Sequence, residues 1–354
     1  MKVMSRRKAA GLSVVVAMVA SLVALVATAG AARKASAEAC VLLPDTKSSV
    51  RWELFDRPYL TKAFQAAGVS SLILNAQGDA QRQRSQLDQC LTNGAKVVLL
   101  TNLDPGSGAA ITNAAVAKGV KVIDYDRLVV GSKASYYVSF DNVRVGKLQG
   151  QGIVAGLRAD GMYGKHPVVA ELNGAPTDNN AKLFKQGYDS VLGPLYKNGT
   201  FKKGPDQWVP QWDNQKALTI FEQMLAQTAN KIDAVDAAND GLGNAVISAL
   251  KNHGLKPIPV SGQDATPQGV QNILAGWQTG TVYKSVRLEA NAAAKAAIAV
   301  VKGTSIKTNG KVSGTPSILL TPVWITKSNY KLLFKEGFVK RSQVCVGQYA
   351  KYCK

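Results

Sequence analysis

Asp126 and Arg127 stand side by side where an apolar run, residues 120–124, gives way to polar ones. Successive side chains of an extended segment diverge, so the two are poorly placed to pair with each other and both are available to a third group. Other apolar runs end in the same way. Asp45 follows CVLLP, Asn75 ends SLILN, and Thr101 and Asn102 follow VVLL. Asn173 ends VVAELN, Asn239 and Asp240 follow IDAVDAA, and Gln263 and Asp264 end PIPVSGQD. This set offers hydrogen-bond donors and acceptors together, without His, Cys or a metal-ligating cluster. It suits a polyhydroxylated neutral molecule. Trp52 in VRWEL and Trp212 in PQWDN are flanked by polar residues rather than set in an apolar stripe, as platforms for the C–H face of a ring would be. For Asn239 and Asp264, helix capping is an equal alternative to ligand contact.

Such ends need strands to carry them. From residue 40 onward CVLLP, SLILNA, AKVVLLTN and VKVIDYD alternate with helical patterns near 59–67, 87–91 and 111–117. Continuous Val, Ile and Leu runs alternating with helices indicate βαβ units around a buried parallel sheet. Gly68, Gly94 and Gly119 precede the strands as helix C-caps. A second series repeats the pattern: HPVVAELNG, a helix over 181–192, KIDAVDAAND, a helix over 245–250, and PIPVSGQD. The fold class expected is therefore α/β with two similar lobes. GTVYK, an Ala-rich helix over 286–301, a polar loop over 303–314 and the run SILLTPVWI follow. In open α/β sheets ligands meet the carboxyl ends of the strands, where the polar residues above fall.

Enzyme chemistry finds little support. No GxxxxGK[ST] loop, GxSxG elbow or His-bearing triad is present, and there are only two histidines, His166 and His253. A glycosidase would need two carboxylates at a set separation, and Asp126 with Asp264 would have to be that pair. A binding cleft needs charged hydrogen-bonding groups in any case, so a binding protein without cofactor or metal is expected.

The first 37 residues form a basic stretch, an apolar run over 12–30 and small residues, the pattern of an export signal. Cleavage fits after Ala37 or, equally, after Ala39, and a retained anchor is the alternative. The chain carries a net charge of +20, and six Lys or Arg with no acid precede residue 38, leaving +14 beyond it. The basic residues are scattered rather than clustered with aromatics, so a solvated surface in an anionic envelope is expected and no nucleic acid. Export and an even count of four cysteines imply disulfides. Of three connectivities, the short spacing of Cys345 and Cys353 favours that pair, which leaves Cys40 with Cys90.

In order along the chain, YDR at 125–127, SFDN at 139–142, DNNAKLF at 178–184, DQW at 206–208, ND at 239–240, SGQDA at 261–265, TVYK at 281–284 and LLTP at 319–322 resemble the exported xylose-binding proteins of ABC sugar importers. The resemblance covers nearly the whole chain beyond the signal. It implies two Rossmann-like lobes of the type I periplasmic binding protein fold, three crossovers and a sugar cleft that closes by hinge bending. It divides the chain into a signal peptide at 1–37, an N-terminal lobe at 38–140 plus 283–320, and a C-terminal lobe at 141–282 plus 321–354. The sugar contacts it implies are Arg51, Trp52, Asp126, Arg127, Asn180, Trp212, Asn239, Asp264 and Lys284. Trp208 and Trp277 have no counterpart in the implied site and are expected to be structural, and Asp178 is expected to shape the loop before Asn180. The implied partners are a monosaccharide, xylose first, and membrane permease subunits or a sensory receptor, with the protein itself a monomer. Two features depart from the pattern: the loop over 44–50 lacks the usual further acids, and the tail VCVGQYAKYC extends beyond the usual end.

Overall fold

The computed structural model describes residues 36–46 and 49–353, so the expected export signal lies outside the described residues except for its last two positions. The apolar runs of the first half become β1 (Ala39–Leu43), β2 (Ser71–Asn75), β3 (Val97–Leu100), β4 (Lys121–Tyr125) and β5 (Tyr136–Phe140). They alternate with α1 (Arg57–Ala66), α2 (Ala80–Thr92) and α3 (Pro105–Ala117), and all pair in parallel. The helix starts are specified locally. Asp79 and Asp104 each accept a hydrogen bond from the backbone N–H three residues on, and Pro105 occupies the first position of α3, where no N–H is needed.

After Phe140 the chain leaves this sheet. It builds α4 (Asn142–Ala159), β6 (Val168–Asn173), α5 (Asn179–Lys197), β7 (Lys202–Trp208), α6 (Asn214–Gln227), β8 (Ala234–Ala237), α7 (Asp240–Asn252) and α8 (Pro267–Ala275). The strands form a parallel sheet in the order β7-β6-β8. PIPVSGQD, expected as a further strand, meets β8 only through the single bridge between Val235 and Val260. Pro257 and Pro259 lack the N–H groups that a ladder needs.

β9 (Thr281–Tyr283) leads back to the first lobe, where α9 (Val286–Lys302) packs on β1, β3, β4 and β5. β10 (Gly310–Val312) and β11 (Thr315–Leu320) extend the first sheet to seven strands, with β11 parallel to β5 and β10 antiparallel at the edge. The stretch expected as a plain loop therefore holds a short hairpin. β12 (Val323–Ile325) pairs antiparallel with β9, so SILLTPVWI is two strands in two sheets, divided at Thr321 and Pro322. α10 (Lys331–Lys335) and α11 (Arg341–Val344) follow in the tail.

Each lobe has its own core. Val41, Leu43, Ile123 and Val138 meet Ala290, Ala293, Ala294 and Ala297 of α9, whose small side chains let the helix lie close on the sheet. Leu42, Leu100 and Val122 face Leu87 and Ile111 on the other side. In the second lobe Val169, Leu172, Phe184, Tyr188 and Phe221 pack together. A Cβ on Gly146 would lie 1.9 Å from the Phe184 carbonyl oxygen, and one on Gly187 2.2 Å from that of Val143. Glycine at both positions is what lets α4 and α5 approach so closely. Cys40 pairs with Cys90, tying β1 to α2, and Cys345 with Cys353 in the tail, at Cα separations of 5.9 and 5.7 Å.

Candidate functional site

The end of β4 turns sharply. Asp126 has φ +63°, a left-handed conformation that aspartate tolerates better than most residues, and its carbonyl oxygen accepts from the hydroxyls of Tyr137 at 2.9 Å and Ser139 at 3.0 Å. The second lobe repeats the device. Asp264 has φ +96°, and its N–H donates to the Val282 carbonyl at 2.9 Å. Two carboxylates on strained backbone, one per lobe, thus face one cavity.

That cavity encloses about 370 Å³, its open part included. Arg51, Trp52, Asp126 and Arg127 line it from the first lobe; Asn180, Trp212, Asn239 and Asp264 line it from the second, with Lys284 just after β9. All nine positions singled out from the sequence border this one space. Four more residues join them: Ser49, Asp178, Phe184 and Gln263. Gln263 belongs to the polar strand ends, and Phe184 lies one helical turn beyond Asn180, so periodicity alone could have found it.

Asp126 and Arg127 are not left free, contrary to the expectation from sequence. Asp126 Oδ2 accepts from Arg51 Nη1 at 2.9 Å and Lys284 Nζ at 3.5 Å, and Oδ1 accepts from Asn180 Nδ2 at 3.1 Å. Arg127 Nε lies 3.3 Å from Asp178 Oδ2, and its Nη1 donates to the Asn102 carbonyl at 3.2 Å. Neighbours diverge, as expected, but each finds a partner across the fold. Asn180 is held as firmly: its oxygen accepts from Asn142 at 2.8 Å and Tyr137 at 3.2 Å while its amide reaches Asp126. Its position depends on the close approach of α4 and α5.

Arg51 is the hub. It precedes a single π-helical turn, Trp52–Asp56, and grips Asp56 through Nε at 2.9 Å and Nη2 at 2.8 Å. Nη2 also reaches Glu289 Oε2 of α9 at 2.6 Å, and the guanidinium carbon lies 4.4 Å from the Trp52 ring centroid. Across the cavity Trp212 donates from Nε1 to Asp178 Oδ2 at 3.1 Å, and its ring lies so close to Gly174 that a Cβ there would be 2.0 Å away. Asn239 is a cap as well as a cavity residue: its oxygen accepts from Leu242 N–H at 2.9 Å, which leaves the amide nitrogen for the cavity. Asp264 caps nothing, since Thr266 caps α8; Asp264 Oδ1 accepts from Gln263 at 2.8 Å.

The remaining polar strand ends support the frame instead. Asn75 donates to Glu53, Thr101 to the Tyr125 carbonyl and Asn173 to Asp206. Asp240 is buried and accepts from Thr266 and Gln278. Trp208 and Trp277 pack against the second-lobe core and do not border the cavity.

Burial works to raise Asp126, but Lys284, Arg51 and Arg127 together outweigh it and hold the carboxyl well below its usual range. For Asp264 burial prevails over the same cations, and its pKa is raised. Burial likewise lifts Glu289 to about 8 against the charge of Arg51. Asp124 and Asp240, buried away from cations, rise to about 8 and about 7. A group whose folded pKa exceeds its unfolded value, near 4 for carboxyls, holds its proton in the folded state. The stability it contributes is greatest below the unfolded value and is lost as the pH rises from there through about 8. Asp126 works in the opposite sense, and only at pH below about 4. Melting is therefore expected at a lower temperature at pH 8.5 than at pH 5.5, and Glu289→Gln should narrow the difference. Calorimetry at the two pH values checks both.

Two α/β lobes with a polar cavity between them are the architecture of a solute-binding protein. The chain belongs to the periplasmic binding protein family: the pattern described as "Periplasmic binding protein domain" matches residues 40–305. It is similar to the D-xylose-binding periplasmic protein of Escherichia coli, 37% identical over 83% of this chain and 88% of that one. A multiple sugar-binding periplasmic receptor of Rhizobium radiobacter is 36% identical over 84% and 90%. Among solved structures, an ABC transporter solute-binding protein of Clostridium phytofermentans with bound β-D-glucose superimposes with a TM-score of 0.79 at 30% identity, covering 86% of this chain and 99% of that one. These relatives are exported sugar-binding proteins, not enzymes, and the type I periplasmic binding protein fold expected from sequence is the one observed. Among the described residues no helix is long and apolar enough to cross a membrane.

Proposed function

We propose that the protein captures a monosaccharide, D-xylose first, in the cavity between its lobes and delivers it to the membrane permease of an ABC importer. The observation that carries this is the lining itself, in which carboxylates, amides and cations from both lobes converge beside two tryptophans. Asp126 and Asp264 would accept from sugar hydroxyls, while Arg51, Arg127, Lys284 and the Asn239 amide would donate to hydroxyl or ring oxygens. Trp52 and Trp212 would flank the C–H faces, and Asn180 would fix the Asp126 turn. The name of the Escherichia coli relative puts xylose ahead of other sugars.

The lobes proposed are 38–140 plus 283–320 and 141–282 plus 321–354. They would close about the three places where the chain passes between sheets, after Phe140, after Tyr283 and after Leu320. Titration calorimetry of ligand-free protein against a panel of aldopentoses and aldohexoses should give xylose the tightest binding, micromolar or better, about −8 kcal/mol. No heat from any sugar at millimolar concentration would remove the assignment.

A further inference from the structure

Beside the sugar cavity lies a second hollow of about 600 Å³ with a different lining. Val50, Leu54, Phe55, Val286, Phe338 and Val339 supply its walls. Phe55 and Phe338 stack with ring centroids 5.0 Å apart, joining the π-helical turn of the first lobe to the tail. Val50 and Leu54 are 61% and 63% exposed, among the most exposed large apolar side chains of the described residues. Such surface normally awaits a cover.

The hollow adjoins the sugar cavity. Ser49, Arg51, Asp264 and Lys284 border both, so a substituent carried past these residues would meet the apolar wall. We infer that this wall is a subsite for the aglycone of an alkyl or aryl glycoside, so that the protein takes glycosides with a small apolar substituent as well as the free sugar. The inference rests on the sugar-binding function proposed above. Concavity and contact with the polar cavity favour a ligand's own substituent over a protein partner, because a free monosaccharide leaves this surface wet while a propyl, pentyl or phenyl group would cover it.

The test is a titration series with xylose and its methyl, propyl, pentyl and phenyl glycosides, in both anomeric forms. A fully covered methylene is worth about 0.8 kcal/mol, or about fourfold in Kd. In one anomeric series Kd should fall from methyl to pentyl by about two- to fourfold per carbon. Leu54→Ser, an exposed position outside the sugar cavity, should flatten the series and leave Kd for xylose unchanged. Binding of xylose with a flat or worsening series overturns the inference and leaves the sugar function standing. No binding by xylose or any glycoside removes both. A Leu54→Ser protein that keeps the chain-length gain but no longer delivers sugar to membranes would put the permease on this surface, and would also overturn it.

Discussion

Asp126→Ala is expected to weaken sugar binding a hundredfold or more. A charge-assisted hydrogen bond contributes about 1.5 to 3 kcal/mol, and Asp126 Oδ1 keeps an acceptor position for the ligand beside Asn180. It also organises the cavity: the same carboxylate holds Arg51, Lys284 and Asn180. Its removal leaves Lys284 buried without the carboxylate it meets, and breaking one side of a buried pair costs about 3 to 5 kcal/mol. Melting temperature should therefore fall along with affinity. Arg127→Ala removes the contacts to Asp178 and Asn102 and should weaken binding about ten- to a hundredfold. Leu128 separates folding from binding. It is buried and borders no part of the cavity, so Leu128→Ala should cost about 2 to 5 kcal/mol of stability with affinity nearly unchanged. Calorimetric titration and thermal melts of the three variants give the pattern. Wild-type affinity in both charge variants would return Asp126 and Arg127 to a structural role.

The second large effect concerns the two bridges, which should differ. Cys40 and Cys90 are separated by 50 residues and Cys345 and Cys353 by 8. On the chain-entropy relation, opening the longer loop costs about 4 kcal/mol and the shorter about 2.5 kcal/mol. Cys40 and Cys90 are also buried in the first-lobe core. Replacing each pair by alanine and unfolding in urea should show the larger loss for Cys40 with Cys90, with sugar affinity kept in both, since no cysteine lines the cavity. Equal losses would mean that residual structure in the unfolded chain, not loop length, sets the contribution.

What was legible in the sequence follows from what each feature depends on. Runs such as VVLL and KVIDY announce buried parallel strands because both faces must be apolar, and a single segment carries that signal. β7 escapes the same logic: KKGPDQW has no apolar pattern, and it pairs because β6 offers it an edge at the sheet's rim. The break between β11 and β12 is set by which sheet each half joins, a tertiary matter. At the site, residue types identified the lining but not its pairing. That Arg51 meets Glu289 as well as Asp56 and Asp126 depends on α9 arriving from more than two hundred residues away. Glu289 sits in an Ala-rich helix, where nothing local distinguishes it from a solvated acid.

The order in which the first lobe receives its parts bears on how the chain folds as it is made. Its central helix, α9, and its strand β11 come from residues 286–320, although the strands they cover begin at residue 39. Until those late residues have been synthesised, Val41, Leu43, Ile123 and Val138 have no Ala-rich helix to pack against, and β5 has an open edge. A chain made from its N-terminus therefore carries an unfinished lobe through most of its translation. Long-range pairing of this kind folds slowly. The same threading that carries the chain back and forth between the lobes leaves the first lobe incomplete until residues 286–320 are made.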